Sequence, residues 1–250
     1  MASYKHFAPY YDILTSNIPY RKRGEYFHAI LNQYGKHNGI LVDLACGTGS
    51  LSEVMAAFGY DVIGIDSSFE MLSEAMNKRY ESGHDIMYLC QDMTDIDLYG
   101  TMDVCICALD SINHICDSED VQAIFDKVSL FLHPDGIFIF DVNTTYKHKN
   151  ILANNTFIYD YDEVYCIWQN TLRDDVTVDI SLDLFCKNMD NTYDKFCEEF
   201  SERAYTHDEL MNFIRKTDLQ LLCVYGDDTF EAPNDTTQRA IYVVKSTKKK

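Results

Sequence analysis

The chain has 250 residues and a formal net charge of −19, with 46% hydrophobic and 24% charged residues. This length and balance are typical of a globular protein with a full core, either one α/β domain with an insertion or two small domains. The negative charge disfavours nucleic acids and anionic membrane surfaces as partners.

The first 37 residues are rich in aromatic side chains and predict short helices, which Pro9 and Pro19 separate. We expect this segment to form a lid that covers a ligand site and excludes water. Its aromatic residues include Tyr4, Phe7, Tyr10, Tyr11, Tyr20, Tyr26 and Phe27.

From residue 38 onward, short apolar runs alternate with helical segments. The runs predict five strands, at residues 40–44, 61–66, 86–90, 102–109 and 137–141. Helices are predicted at residues 50–58, 69–80 and 120–132, with a turn at 133–136. Gly59 is a predicted helix C-cap, and Ser67 and Ser68 are candidate N-caps. Nearly continuous apolar strands that alternate with helices are typical of a parallel, doubly wound sheet.

The pattern changes between about residues 156 and 203, where apolar and polar residues alternate. A period of two predicts half-exposed antiparallel strands, so we interpret this segment as an inserted sheet. A helix follows at 206–216, where Thr206 and Glu209 have the spacing of a capping box. Two late strands, at 219–225 and 240–245, return to the core.

The predicted organisation therefore has three parts. Residues 1–37 form an N-terminal helical lid, residues 38–150 and 204–247 form the core, and residues 151–203 form an inserted antiparallel β cap.

The nine cysteines are odd in number and lie mostly in apolar runs, which indicates buried thiols in a reducing, cytoplasmic setting. They show no metal-ligand spacing, so no metal site is predicted. Residues 1–11 lack the apolar segment of a secretory signal, and no apolar run is long enough to cross a membrane. The sequence leaves a monomer and a homodimer both open.

The first predicted strand ends near Asp43 and leads into a loop with two glycines, Gly47 and Gly49, before a helix. Glycine lets the backbone turn sharply and approach a ligand, and a helix N-terminus presents free amides to it. The second strand ends in Asp66, 19 positions after Gly47. An acid at this position accepts hydrogen bonds from ribose hydroxyls, so the pattern predicts a nucleotide-like cofactor.

Binding sites for NAD and for S-adenosylmethionine share this arrangement of a glycine loop and a ribose-binding acid. A dinucleotide fingerprint has a third glycine where this chain has Ser52, and Asp43 has no role in pyrophosphate binding. Asp43 could orient the loop or lie near the cationic end of a ligand. The sequence favours S-adenosylmethionine, with two alternatives: a nicotinamide-dependent oxidoreductase, and a non-catalytic protein that binds S-adenosylmethionine as a signal.

Several segments resemble motifs of the class I S-adenosylmethionine-dependent methyltransferases. They are residues 43–49 (Asp-Leu-Ala-Cys-Gly-Thr-Gly), 91–93 (Gln-Asp-Met), 109–114 (Leu-Asp-Ser-Ile-Asn-His) and 134–141 in the fifth strand. Residues 7–12 and residues 202–206 resemble segments of a bacterial subfamily of these enzymes that methylates small molecules. Members of this subfamily carry a β insertion after strand five. The resemblance implies an α/β fold, a doubly wound seven-stranded and mostly parallel sheet with an antiparallel seventh strand and a small inserted antiparallel sheet.

The resemblance also implies a set of residues that bind S-adenosylmethionine. Asp66 would hold the ribose and Asp92 the adenine amino group, while Arg23, where relatives often carry an aromatic residue, could pair with the cofactor carboxylate or be solvated. The full set is Tyr11, Tyr20, Arg23, Asp43, Ala45, Cys46, Gly47, Asp66, Ser67, Met71, Gln91, Asp92, Met93, Leu109 and Asp110.

Methyl transfer from a sulfonium is an in-line displacement that needs positioning and desolvation more than a strong base. The sequence therefore singles out no catalytic residue. The candidates near the acceptor are Asp110, Asn113, His114 and Arg203, each of which could instead be structural, and Tyr205 could also reach the acceptor. Tyr161, Tyr165 and Trp168 could form an aromatic acceptor wall, the core of the insertion or a dimer face. The predicted acceptor is a small molecule between lid and inserted sheet, with a neutral or cationic acceptor such as an amine favoured.

Overall fold

The computed structural model describes residues 6–174 and 176–249, so Tyr4 of the predicted lid lies outside the described residues. Helices α1 (Ala8–Leu14) and α2 (Tyr20–Gln33) come first. The core then contains β1 (Gly39–Leu44), α3 (Ser50–Ala57), β2 (Tyr60–Asp66), α4 (Phe69–Ser82), β3 (Met87–Cys90), β4 (Met102–Cys107), a 3-10 turn (Ser111–His114), α5 (Ser118–Phe131) and β5 (Leu132–Asn143).

The insertion begins with the short helix α6 (Thr145–Lys147) and a π-helical turn (His148–Leu152). Four strands follow: β6 (Thr156–Asp160), β7 (Val164–Leu172), β8 (Thr177–Lys187) and β9 (Tyr193–Arg203). The chain returns to the core through α7 (His207–Arg215), β10 (Leu219–Gly226) and β11 (Arg239–Ser246). Thr206 and Glu209 form the expected capping box at the start of α7.

The two sheets have the predicted topology. The seven-stranded sheet has the order β10-β11-β5-β4-β1-β2-β3, and β11 runs antiparallel to both of its neighbours. The second sheet has the order β6-β7-β8-β9 and is antiparallel throughout. The prediction of an α/β doubly wound sheet with a small inserted antiparallel sheet is confirmed.

Several boundaries differ from the prediction, and three of them bear on the site or its supporting elements. Strand β4 ends at Cys107 instead of residue 109, because Leu109 and Asp110 have left-handed backbone angles with φ of 59° and 56°. Strand β5 begins at Leu132 and includes the predicted turn at residues 133–136. Helix α5 begins at Ser118, two residues early, because the Asp117 side chain accepts from the Glu119 amide and caps it.

Apolar side chains bury both faces of the large sheet. Phe125 of α5 packs against Phe138 and Phe140 of β5 on one face, and Phe27 and Ile30 of α2 lie fully buried on the other. A third cluster joins α1 to the inner face of the inserted sheet. The inserted sheet and α1 thus close over the carboxyl ends of the core strands. No helix among the described residues is long and apolar enough to cross a membrane.

Candidate active site

A cavity of about 730 Å³ lies at the carboxyl ends of the core strands, where open α/β sheets bind ligands. Its walls come from the loops after β1, β2, β3 and β4, from α1 and the segment after it, and from the inserted sheet. Every predicted cofactor-binding residue except Arg23 lines this cavity. Topology therefore brings together residues that are far apart in the sequence.

The glycine loop lies at one wall of the cavity. The Gly47 amide donates to Asp66 Oδ2 at 2.8 Å, and the Ser68 amide donates to Asp66 Oδ1 at 2.8 Å. Gly47 has a φ of +55°, and no heavy atom lies within 4 Å of the position that a Cβ would take. The loop backbone thus leaves room for a ligand, and each Asp66 oxygen keeps a lone pair for a further donor.

Asp43 and Ser52 link β1 to the start of α3. Ser52 Oγ donates to Asp43 Oδ2 at 2.5 Å, and both residues are buried. Burial raises the pKa of Asp43 to about 7. Ser52 therefore replaces the close glycine contact of a dinucleotide site with a side-chain hydrogen bond, which explains why Asp43 and Ser52 occur together.

The raised pKa of Asp43 has a consequence for stability. An acid whose pKa is higher in the folded protein than in the unfolded chain favours unfolding when it ionises. The contribution of Asp43 to the free energy of unfolding therefore falls as pH rises from 3.8 towards about 7. We expect the free energy of unfolding of wild type, relative to the Asp43→Asn variant, to decrease across this window by roughly 1.4 kcal/mol per pH unit at most. Urea denaturation at several pH values measures this difference, and parallel pH profiles would contradict it.

Helix α1 is tied to the glycine loop by polar contacts. Thr48 Oγ1 donates to Asp12 Oδ1 at 2.7 Å, and Lys78 Nζ lies 2.5 Å from Asp12 Oδ2. Lys78 Nζ also donates to Thr48 Oγ1 and to Ser50 Oγ. Asp12 is thus the residue that fastens α1 over the loop, a role that the sequence pattern did not reveal.

The loop after β3 carries two predicted adenine-side residues. Asp92 Oδ1 accepts from the amide and hydroxyl of Thr94, which leaves its second oxygen available to a ligand. The Gln91 side chain pairs instead with the backbone N–H and C=O of Asp97. Gln91 therefore shapes this loop, while Asp92 faces the cavity with a free acceptor.

A buried charge network supports the turn after β4. Asp141 accepts from the amides of Leu109 and Asp110, at 2.9 and 2.7 Å, and is fully buried. Arg23 Nη1 donates to Asp141 Oδ2 at 3.0 Å, and Arg239 donates to Asp141 Oδ1. Four donors thus hold the Asp141 carboxylate in place. Asp141 in turn fixes Leu109 and Asp110 in left-handed conformations that would otherwise be strained.

Arg23 is neither solvated nor in the cavity. Its side chain is 7% exposed and pairs with Asp141 and, at 2.7 Å, with Asp228 Oδ2. Arg23 thus links α2 to the end of β5 and to the loop before β11. The sequence could not show this, because Asp141 is 118 positions away.

Two of the four catalytic candidates, Asp110 and His114, line the cavity. Burial alone would raise the pKa of Asp110, but Arg239, Lys147 and His114 together outweigh burial and hold this pKa below its ordinary value. Arg239 Nη2 donates to Asp110 Oδ1 at 2.7 Å. Asp110 is therefore an ionised carboxylate at the cavity wall.

Asn113 and Arg203 do not line the cavity. Asn113 is fully buried, and its amide bonds to the backbone of Asn143 and of Arg203. Arg203 pairs with Glu209 at 2.7 Å and lies over the Tyr205 ring. These contacts support structural roles for both residues, and Tyr205, which is buried and donates to the Ile115 carbonyl, belongs with them.

The inserted sheet presents aromatic residues to the cavity. Phe157 lies opposite Trp168 and Tyr159 opposite Cys166, which places them on one face. That face contributes Phe157, Tyr159, Trp168, Leu182 and Phe200 to the lining. Tyr165 lies opposite Asp160 on the other face, and Tyr161 bonds to Ser16, so only Trp168 of the three predicted wall residues lines the cavity.

The lining residues that the predicted site did not include are numerous, and Lys147, Glu202 and Arg239 are among the charged ones. One oxygen each of Asp110 and Glu202 and a ring nitrogen of His114 lie within 4.8 Å of one another, a spacing that the prediction of no metal site did not anticipate. Arg239 already pairs with Asp110, and the positive charge of Lys147 acts on both Asp110 and Glu202. These two cations disfavour a metal ion at this place.

Comparison with known proteins identifies the family. Residues 41–136 match a methyltransferase domain model. YqeM of Bacillus subtilis (strain 168), which is named as a methyltransferase, is 32% identical over 247 residues and 98% of each chain is covered. The chain belongs to the class I S-adenosylmethionine-dependent methyltransferases.

Solved structures agree with this assignment. The methyltransferase resembles the crystal structure of an S-adenosylmethionine-dependent methyltransferase from Clostridium acetobutylicum ATCC 824, with 33% identity, 97% and 98% of the two chains covered and a TM-score of 0.87. The CcbJ methyltransferase from Streptomyces caelestis, at 15% identity, shares the fold with a TM-score of 0.77 and 92% and 90% coverage. S-adenosylmethionine is therefore the cofactor, and the nicotinamide and non-catalytic alternatives are set aside.

Proposed function

We propose that this methyltransferase acts on a small molecule bound between α1 and the inserted sheet. The observation that supports this is the extent of the cavity, which continues from the glycine loop into a chamber walled by residues of the insertion, such as Trp168 and Phe200. A chamber lined mainly by apolar side chains, with a few charged groups, suits a small acceptor that must be shielded from water.

The cofactor would lie along the loops after β1, β2 and β3. Asp66 would hold the ribose hydroxyls with the lone pairs that its two backbone bonds leave free, and Asp92 would accept from the adenine amino group. Ala45 and Gly47 would lie beside the methionine part, and Tyr11 and Tyr20 would cover it from the lid at residues 1–37. The open space at Gly47 supports this fit.

The cofactor supplies a methyl group already activated by a positively charged sulfur. The residues of this chain then have to position the acceptor and exclude water. Asp141 fixes the Leu109–Asp110 turn at one wall, and the aromatic face of the inserted sheet closes the other. Such fixed geometry lowers the entropic part of the barrier.

We also propose a cytoplasmic setting, because all nine cysteines are free and four of them are buried. The proposed methyl transfer to a small molecule is compatible with a monomer and with a homodimer.

A screen with labelled S-adenosylmethionine over a metabolite library tests the acceptor class. For any acceptor found, we expect Trp168→Ala to lower kcat/KM about 10- to 150-fold through lost apolar contact of about 1.5–3 kcal/mol, while the Kd for S-adenosylmethionine stays the same. Tyr165→Ala, on the opposite face of the same strand, is the matched control and should leave both quantities unchanged. Equal losses in the two variants, or label transferred only to macromolecules, would contradict the proposal.

A further inference from the structure

Glu202 is a buried carboxylate at the cavity wall with few donors around it. It lies at the end of β9 and is 3% exposed. Its closest polar neighbours are Asn143 Nδ2, 3.5 Å from Oε2, and His114 Nε2, 3.6 Å from Oε1. Such long contacts leave most of its lone pairs poorly satisfied, which is costly for a buried carboxylate.

An acceptor without a donor among the described residues lies beside Glu202. His148 is fully buried, and its Nδ1 lies 2.9 Å from the Val176 carbonyl, so Nδ1 carries the proton. Burial lowers the pKa of His148 to about 4, which keeps the ring neutral and makes Nε2 an acceptor. Among the described residues Nε2 has no hydrogen-bond partner, and it lies 3.9 Å from Glu202 Oε2.

The cations nearby have hydrogen bonds to acceptors other than Glu202. Lys147 Nζ donates to Asn143 Oδ1 at 2.9 Å, and Arg239 pairs with Asp110 and Asp141. The donors that Glu202 lacks are therefore expected from a ligand. Phe200, two residues earlier on β9, and Trp168 line the same cavity, and aromatic faces attract cations.

We propose that the methyl acceptor is a primary or secondary amine whose N–H groups donate to Glu202. This inference rests on the proposed function. An ammonium group offers several donors and a positive charge, a hydroxyl offers one donor, and a carboxylate offers none. Only the amine meets both the hydrogen-bonding need and the charge of Glu202.

The transfer step balances with Glu202 as proton acceptor. The bound ammonium loses one proton to the Glu202 carboxylate, and the freed nitrogen lone pair forms the N–CH3 bond. The S–CH3 bond breaks with its electron pair left on sulfur, so the product leaves as a methylated ammonium ion. Burial raises the pKa of Glu202, which makes it a better base than an exposed carboxylate, and partly exposed His114 offers the proton a route to solvent.

Binding without turnover gives the first test. Protein saturated with S-adenosylhomocysteine is titrated calorimetrically with benzylamine, phenethylamine and tryptamine, and with the alcohol and carboxylate that share each carbon skeleton. We expect at least one amine to bind at least tenfold more tightly than its two counterparts. Equal binding of an alcohol or carboxylate, or no binding of any amine, overturns the proposal.

Variants of two acids on β9 give the second test. Glu202→Gln should weaken amine binding at least tenfold and lower methyl transfer to the same amine at least 100-fold, with the Kd for S-adenosylhomocysteine unchanged. Glu198→Gln is the matched control, since Glu198 is also buried on β9 but does not line the cavity. Amine binding that survives in Glu202→Gln overturns the proposal. Failure of wild type to bind S-adenosylhomocysteine would instead contradict the proposed function.

Discussion

Replacing Asp141 by alanine is expected to lower the free energy of unfolding by about 3–5 kcal/mol, because it leaves buried positive charge without its partner. Arg23 and Arg239 both donate to this fully buried carboxylate, and two backbone amides, those of Leu109 and Asp110, donate to it as well. Urea denaturation followed by circular dichroism measures the change.

The control for Asp141 is an exposed ion pair. Asp85 is fully exposed and lies 3.3 Å from Arg79, so Asp85→Ala should change stability by about 0–1 kcal/mol. A loss of less than about 1 kcal/mol in Asp141→Ala would mean that the two arginines find other partners. We further expect the amides of Leu109 and Asp110 to exchange hydrogen faster in Asp141→Ala, since both lose their acceptor.

The second large effect concerns the cofactor. Replacing Asp66 by alanine should weaken S-adenosylmethionine binding by about 1–3 kcal/mol, or roughly 5- to 150-fold in Kd, because buried ribose hydroxyls lose their acceptor. Isothermal titration calorimetry measures this directly. Asp66 also accepts from the Gly47 and Ser68 amides, so thermal unfolding is recorded in parallel to show that the variant is folded at the temperature of the titration.

Asp61→Ala is the matched control for Asp66, because Asp61 lies on the same strand with an exposed side chain. We expect it to bind S-adenosylmethionine as wild type does. Unchanged affinity in a folded Asp66→Ala variant would show that the ribose lies elsewhere in the cavity. Equal losses in the two variants would indicate a general effect of charge, which added salt would suppress.

The core could be predicted from the sequence because its determinants are local. Continuous apolar runs such as residues 137–140 mark strands buried on both faces, and alternation at residues 176–184 marks strands with one exposed face. The glycine loop and Asp66 carry their meaning in a fixed spacing along one βαβ unit. These features led to the fold and the cofactor without knowledge of any distant contact.

Contacts between segments that are far apart in the sequence could not be predicted from such local patterns. Leu109 belongs to an apolar run and was expected in β4, but Asp141 of the neighbouring strand holds its amide in a left-handed turn. Arg23 was expected near the cofactor or in solvent, but Asp141 and Asp228 bury it. In both cases a partner that is remote in sequence outweighs the local preference.

The acceptor side depends on tertiary structure for the same reason. The sequence grouped Tyr161, Tyr165 and Trp168 as candidates for one acceptor wall, but only the register and packing of the inserted sheet show that Trp168 lines the cavity and that Tyr165 lies on the other face. Glu202 and His148 lie 54 positions apart, and only the fold brings the Glu202 carboxylate close to His148 Nε2, which has no hydrogen-bond partner among the described residues. The sequence by itself determined the fold class and the methyl donor, because both follow from patterns of residues that are close together in the sequence. The tertiary structure decided which charges are buried and paired and which face the acceptor, because burial and pairing arise only when distant segments meet.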